Sequence, residues 1–376
     1  MNPVLKLTED LVRRRSITPN DAGCMDLIVE HLQPLGFQAE WLNFGETRNL
    51  WLRRGRQAPL FVFLGHTDVV PPGPEDRWTS LPFEPAIRDG KLYGRGAADM
   101  KSGVAAMAIA MERFVALHPD HPGSLALLLT SDEEGDATDG VVRVVDALQA
   151  RHESIDWCLV GEPSSCATLG DVIRVGRRGS LSGRLKVFGV QGHVAYPDRV
   201  KNPILKFAPA LDALAKEVWD QGNAFFPPTS FQVSNIHAGT GAENVAPGEL
   251  GVLFNLRYST ELDEEIIKRR VIQILDQYGL DYELHWHSSG KPFLTRGTTL
   301  IGAVQAALTE ILGAPAKPDT GGGTSDGRFI APTGAEVVEL GPLNASIHKI
   351  DEHVRVDDLE KLAGVYQKTL EKLLIP

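Results

Sequence analysis

The sequence predicts an α/β protein: a mixed sheet with helices on both faces, interrupted by a smaller α+β domain of ferredoxin-like order. Three observations carry this expectation. Helical periodicity alternates with short apolar runs through residues 1–178, and the same alternation resumes over 291–376. Between them, 179–290 holds a complete β-α-β-β-α-β order of its own, as an inserted domain would.

In the first segment, apolar residues at helical spacing predict helices over 4–15, 23–35, 101–117 and 140–150. The short apolar runs PLFVFL (59–64), SLALLLT (124–130) and DWCLV (156–160) mark strands of a sheet covered by helices on both faces. After the insert come a helix at 298–312, a strand at 335–340 and a helix at 358–374 with Asp357 as its N-cap. Inside the insert, a strand at 180–189 precedes a helix at 203–219, where Asn202 suits the cap and Pro203 the first helical position. Strands at 229–237 and 250–259, a helix at 264–278 closed by Gly279, and a strand at 281–287 complete it.

Composition narrows the function classes. With 43% hydrophobic and 23% charged residues, the 376-residue chain has the profile of a globular protein. Its net charge of -11 argues against a nucleic-acid partner, and an anionic substrate would require a local basic pocket. Cys24, Cys158 and Cys166 are odd in number and form no CxxC pair, which suits a reducing compartment. MNPVLKLTEDLVRRRS reads as an amphipathic helix without a signal-peptide core, and no apolar run reaches the roughly 18–20 residues of a membrane span. The expectation is a cytoplasmic protein with no membrane partner.

Open α/β sheets collect functional groups at the carboxyl ends of their strands. Here those ends are alike. FVFL runs into Gly65-His66-Thr67-Asp68, LALLLT into Asp132-Glu133-Glu134, DWCLV into Gly161-Glu162, and AEVVEL through Gly341-Pro342 to His348. Asp99, in GRGAADMKSG, precedes the 101–117 helix. A single acid after a strand is ordinarily a cap, and a lone loop histidine is ordinarily solvated. Four such strand ends together point instead to ligands for two divalent cations. His118, His121, His285 and His287 lack such neighbours and read as surface residues. GRGAADMKSG fails as a P-loop because Met100 stands where glycine must, and fails as GxGxxG because Asp99 does.

Charge balance divides the acids. Asp99, Glu134 and Glu162, with one further anion, balance two divalent ions, which leaves Glu133 free of metal. Neighbouring residues of an extended chain point opposite ways, so Glu134 can ligate while Glu133 faces a substrate. Mixed imidazole and carboxylate ligands suit zinc, with cobalt or manganese as alternatives. Asp68 is spaced to support the His66 imidazole.

GHTDVVPPG, LYGRGAADMKSG, TSDEEG, VGEPS and IHKIDE, in this order, resemble the co-catalytic zinc peptidases of the M20 type over the whole chain. The resemblance implies a zinc-peptidase-like catalytic domain (1–178 and 291–376) and an inserted lid and dimerisation domain (179–290). It implies two divalent metals per subunit: His66, Asp99 and Glu162 for one, Asp99, Glu134 and His348 for the other. It makes Glu133 the general acid/base, gives Asp68 the support of His66, and implies a cis peptide between Asp99 and Met100. His193, in VQGHVAYPD, would serve the partner's active site in a homodimer formed through the lid.

GGGTSDGRFIA (321–331) and GPLNASIHKIDE (341–352) resemble the branch of that family that cleaves N-succinyl-diaminopimelate, a small anionic substrate. On that resemblance Arg178, Tyr196, Asn244, Arg257, Ser289, Gly323 and Thr324 would contact the substrate. Alternatives remain at this point: a related deacylase acting on acetylornithine, an aminoacylase, a dipeptidase, a two-metal phosphatase, or a metal-binding non-enzyme of the same fold.

Overall fold

The computed structural model describes residues 2–375. The chain forms two compact units: one runs through Gly176 and includes Thr295–Asp319 and the residues from Ser325 on, the other comprises Arg177–Leu294 and Thr320–Thr324. The insertion limits expected from sequence, 179 and 290, lie inside the Arg177–Leu294 segment, and the glycine-rich 320–324 stretch belongs to the second unit as well.

The first unit is built on an eight-stranded mixed sheet, in the order Gln38–Trp41, Asn49–Arg54, Ser124–Thr130, Leu60–His66, Trp157–Val160, Glu336–Glu339, Val172–Arg174, Lys317–Asp319. The four central strands, 124–130, 60–66, 157–160 and 336–339, are mutually parallel. The 60–66 and 124–130 strands are buried along their whole length, as their unbroken apolar runs require. The chain passes from 60–66 to one neighbour, 124–130, and then back across to the other, 157–160. Right-handed crossovers in opposite directions put the two connecting helices on opposite faces. Ser102–Leu117 therefore covers one face and Val141–Ala150 the other. The 102–117 helix is apolar nearly all round because Pro3–Val12 and Val356–Leu374 pack on its outer side.

The second unit has a four-stranded antiparallel sheet in the order Ser230–Ala238, Glu249–Tyr258, Gly179–Phe188, Tyr282–Gly290. With the helices Pro203–Lys216 and Glu264–Gln277 this is the ferredoxin-like arrangement. Leu181, Leu185, Phe207, Leu214, Phe254 and Val271 are among the residues of its separate core.

Several local expectations are corrected. The last helix begins at Val356 with Arg355 in the cap position, so Asp357 lies in its first turn, where an acid still favours the positive end of the helix dipole. The 203–219 helix stops at Lys216, because Glu217 turns extended and Trp219 is drawn into the core. The first helix ends at Val12, and the second at Leu32, followed by a 3-10 turn over Gln33–Leu35. His121 is half-buried, with its ring against Phe114 and Nε2 2.7 Å from Arg54 Nη1. The 38–41 and 49–54 strands and the short 172–174 and 317–319 pair were not expected from the sequence.

Gly341 marks the tightest approach between two of the central strand ends. A Cβ there would sit 2.4 Å from the carbonyl oxygens of both Gly161 and Glu162, and backbone cannot yield as a side chain can. Gly341→Ala should therefore destabilise the protein by about 1–3 kcal/mol through overpacking. Urea unfolding checks this, and an unchanged midpoint would contradict the packing described.

Candidate metal centre and active site

His66, Asp99, Glu134, Glu162 and His348 converge in the first unit, all at or beyond the carboxyl ends of the four parallel strands or in the turn before the 102–117 helix. His66 ends its strand and is fully buried; its Nδ1 lies 2.9 Å from the Asp68 carbonyl oxygen. That contact sets Nε2 towards Asp99 Oδ1 at 3.2 Å and Glu162 Oε1 at 3.5 Å. His348, half-exposed and in the left-handed region at φ +60°, points Nε2 at Glu134 Oε1, 3.0 Å away, and at Asp99 Oδ2, 3.3 Å away. Asp99 thus gives one oxygen to each histidine. The Asp99–Met100 peptide is cis.

The donor set fits divalent cations. His66, Asp99 and Glu162 form one group whose ligand atoms all lie within 4.8 Å of one another, and Asp99, Glu134 and His348 form another. Mixed imidazole and carboxylate donors are borderline ligands of the kind zinc takes. A third grouping, His66 with Glu133 and Glu134, competes for donors the other two already use.

The electrostatics show how much positive charge the centre demands. Burial alone would lower the His66 pKa, but the hydrogen bond to Asp99 and the charges of Glu162, Asp68 and Glu133 outweigh it and hold the imidazole well above its usual value. Hydrogen bonds to Asp99 and Glu134 raise His348 to about 10. Burial opposes ionisation of Asp99, yet hydrogen bonds from His348 and His66 win and its pKa is lowered. Glu133 goes the other way. Withdrawal from water raises it well above the carboxylate range, the charges of Asp326, Glu134 and Asp99 add to this, and His66 opposes it.

Asp68 does more than the spacing suggested. Its carboxylate lies 3.6 Å from His66 Nδ1, so the nearer support of the ring is its backbone carbonyl. The carboxylate instead accepts the Thr18 hydroxyl at 2.6 Å and the N–H groups of Glu134 and Glu133 at 3.2 and 3.4 Å. It therefore fixes the turn that carries both glutamates. Thr18 was not singled out from sequence, and nothing local marks it. Asp326 was also passed over, although TSDGRF was noted. It is buried, one carboxylate oxygen has no hydrogen-bond partner, and burial pushes its pKa up to about 6.

The remaining candidates lie in the second unit. Arg178 and Arg257 are neighbours there: the Arg178 charge adds to burial in lowering the Arg257 pKa, and among the described residues neither guanidinium has a carboxylate partner. His193 and Tyr196 are exposed, with ring centroids 5.8 Å apart, and Val194 N–H donates to the Asn244 carbonyl at 3.0 Å. Ser289 sits at the irregular end of the 282–290 strand, while Gly323 and Thr324 lie in the short stretch that joins this unit.

Residues 62–372 match the model of Peptidase family M20/M25/M40. The chain is 69% identical over 374 residues to a succinyl-diaminopimelate desuccinylase of Methylococcus capsulatus, covering 100% of this chain and 99% of that one. It is 62% identical to the protein of the same name from Thioalkalivibrio sulfidiphilus, covering 100% of both. Among solved structures it resembles an M20 family metallo-carboxypeptidase of Sulfolobus solfataricus, with a TM-score of 0.82, 17% identity and 99% of each chain covered. A dinuclear metal binding peptidase of Bacillus subtilis shares the fold with a TM-score of 0.73 at 15% identity, over 98% of this chain and 96% of that one.

Ligation requires neutral imidazole, while the surrounding carboxylates raise the pKa of both histidines above the usual imidazole value, that of His348 to about 10. Zinc uptake at pH 7.5 should therefore release at least about one proton per ion. The His348 share should disappear as pH rises through about 10, where that ring is already neutral. Calorimetry in buffers of different ionisation enthalpy measures this, and uptake without proton release would contradict the geometry.

Proposed function

The chain belongs to Peptidase family M20/M25/M40, and we propose that it hydrolyses the amide bond of N-succinyl-L,L-2,6-diaminopimelate, giving succinate and L,L-2,6-diaminopimelate. The observation that carries this reading is the pair of ligand groups sharing Asp99, beside Glu133, in a chain 69% identical over its length to a protein named for that reaction. The activity serves lysine and diaminopimelate biosynthesis. Among the described residues no helix is long and apolar enough to cross a membrane.

His66, Asp99 and Glu162 would hold one divalent cation, and Asp99, Glu134 and His348 the other, zinc suiting both and cobalt or manganese serving as alternatives. When bound, such ions supply Lewis acidity, acidifying water and polarising the amide carbonyl. Glu133 handles the protons. It takes one from the attacking water and delivers it to the nitrogen of the departing amine, a task suited by a carboxyl whose pKa burial has raised. Asp68 keeps Glu133 and Glu134 in register through their N–H groups.

The substrate carries several carboxylates, and the chain is acidic overall at -11. Arg178 and Arg257, close together and without carboxylate partners, support a carboxylate-binding role in the second unit. Tyr196, Asn244, Ser289, Gly323 and Thr324 would add hydrogen bonds. We assign the second unit (179–290 from sequence) the role of lid and dimerisation domain, and residues 1–178 and 291–376 that of the catalytic domain. His193, exposed on the second unit, would donate to the developing oxyanion in the partner subunit.

With zinc added, kcat/KM for the succinyl substrate should exceed that for acetylornithine by about 10³ or more, because the acetyl group leaves buried donors unpaired. Glu133→Gln should abolish turnover with metal content unchanged. Comparable rates on acetylornithine would favour the deacylase alternative, and metal loss in Glu133→Gln would favour the third ligand grouping. The trans role of His193 is tested by mixing Glu133→Ala and His193→Ala chains under subunit exchange. Random pairing puts half the dimers in the mixed class, each with one intact site, so about a quarter of all sites should recover. Confirmed exchange with no recovered activity would place His193 outside the partner's site.

A further inference from the structure

Glu352 lies four residues beyond His348 and is wholly buried, although no ligand group includes it. Its carboxylate is surrounded by donors. Oε1 accepts the N–H groups of Ala98 at 2.9 Å and Asp99 at 3.0 Å. Oε2 accepts the N–H of Gly96 at 3.1 Å and Nη1 of the buried Arg95 at 2.7 Å. The Glu352 backbone carbonyl accepts a further N–H, that of Gly94, at 2.9 Å. Every contact falls on residues 94–99, the turn that ends in Asp99.

A buried carboxylate is costly unless paired and hydrogen-bonded, and here both needs are met by one short segment. The segment is also tied by the Arg95 N–H to the Pro82 carbonyl at 2.8 Å and by the Ala97 N–H to the Gly94 carbonyl at 3.1 Å, but neither bond involves Asp99. Gly96 is in the left-handed region at φ +81°, and Asp99 and Met100 depart from helical φ/ψ. The strand His353–Arg355 then pairs with Lys91–Tyr93, with His353 opposite Tyr93. The chain carrying His348 and the chain carrying Asp99 are thus joined by a ladder and, at its end, by one carboxylate.

A core ion pair of purely structural purpose needs only Arg95. The bond to the Asp99 N–H has a different consequence, because Asp99 must turn one oxygen to His66 and the other to His348. We infer that Glu352 is a positioning residue that fixes the orientation of the shared ligand Asp99, and so governs metal binding at both groups. The inference rests on the two-metal reading above.

The test compares wild type, Glu352→Gln, Glu352→Asp and Leu362→Ala. Leu362 is buried in the last helix and outside the site, so its truncation controls for lost stability alone. Each metal-free protein is titrated with cobalt(II), read by its visible absorption and by competition with a chromophoric chelator. Glu352→Gln turns an amide NH₂ or loses a charge opposite three N–H donors and Arg95. It should bind both ions about tenfold to a hundredfold more weakly and with an altered spectrum. Leu362→Ala should keep wild-type affinity and spectrum.

Glu352→Asp keeps the charge opposite Arg95 but shortens the reach, and should also weaken both ions; it replaces the Gln variant if that one does not fold. A folded Glu352 variant with wild-type affinity for both ions would overturn the inference. So would failure of both variants to fold, which would assign Glu352 to stability alone. Wild-type protein that binds no cobalt would overturn the metal reading itself, which separates the two failures.

Discussion

Asp99 offers one oxygen towards His66 and the other towards His348, and much of the first unit is arranged so that it can. A shared carboxylate tolerates little rotation, since turning it to improve one contact spoils the other. The parallel strands bring His66, the Glu133–Glu134 turn and Glu162 to one edge of the sheet. Gly341 allows the 157–160 and 336–339 strand ends to close up. Asp68 holds the glutamate turn from one side, and Glu352 holds the Asp99 turn from the other. Each of these is a backbone constraint, so the candidate ligand side chains start from fixed points.

The same arrangement concentrates negative charge. Asp68, Asp99, Glu133, Glu134, Glu162 and Asp326 surround two imidazoles, which answers their charge only in part. The pKa values follow from this: the carboxylates raise both histidines, while burial and like-charged neighbours raise Glu133, Glu162, Asp68 and Asp326. Divalent cations would relieve both. Glu133 differs from its neighbour Glu134 in that His348 reaches the latter and not the former. Two adjacent glutamates thereby acquire different chemistry from one chain direction.

Much of this was legible in the sequence because its signals are local. A continuous apolar run followed by an acid or histidine can be read without knowing what lies beside it, and the four central strands and their ends were found that way. The β-α-β-β-α-β order was legible for the same reason. Part of what escaped depends on distant pairing. The 172–174 and 317–319 strands are three residues each and exist through one another, across the whole inserted segment. Glu352 meets Asp99 at a separation of 253 residues, and Thr18 meets Asp68 at 50. Neither contact has a periodicity or a spacing to announce it. Asp357 shows the opposite limit: a strong local cap signal was displaced because the chain enters the helix from a strand that ends at Arg355.

The inserted segment leaves the first unit after the 172–174 strand, and the chain returns at Thr295, forming the 299–312 helix before the 317–319 strand pairs beside 172–174 at the sheet's edge. This has a consequence for synthesis on the ribosome. The second unit's strands and helices lie in one continuous stretch, Arg177–Leu294, and can pack as soon as that stretch emerges. The first unit has to wait. Its 102–117 helix stays uncovered on the side taken by Val356–Leu374, and the 157–160 strand lacks its neighbour 336–339, until the end of the chain is made. The later-starting unit is therefore the first able to finish, and the growing chain carries an exposed apolar helix and an open sheet edge meanwhile. The candidate metal ligands share that delay: His66, Asp99, Glu134 and Glu162 are all translated long before His348, so a complete pair of candidate groups exists only in a nearly finished chain.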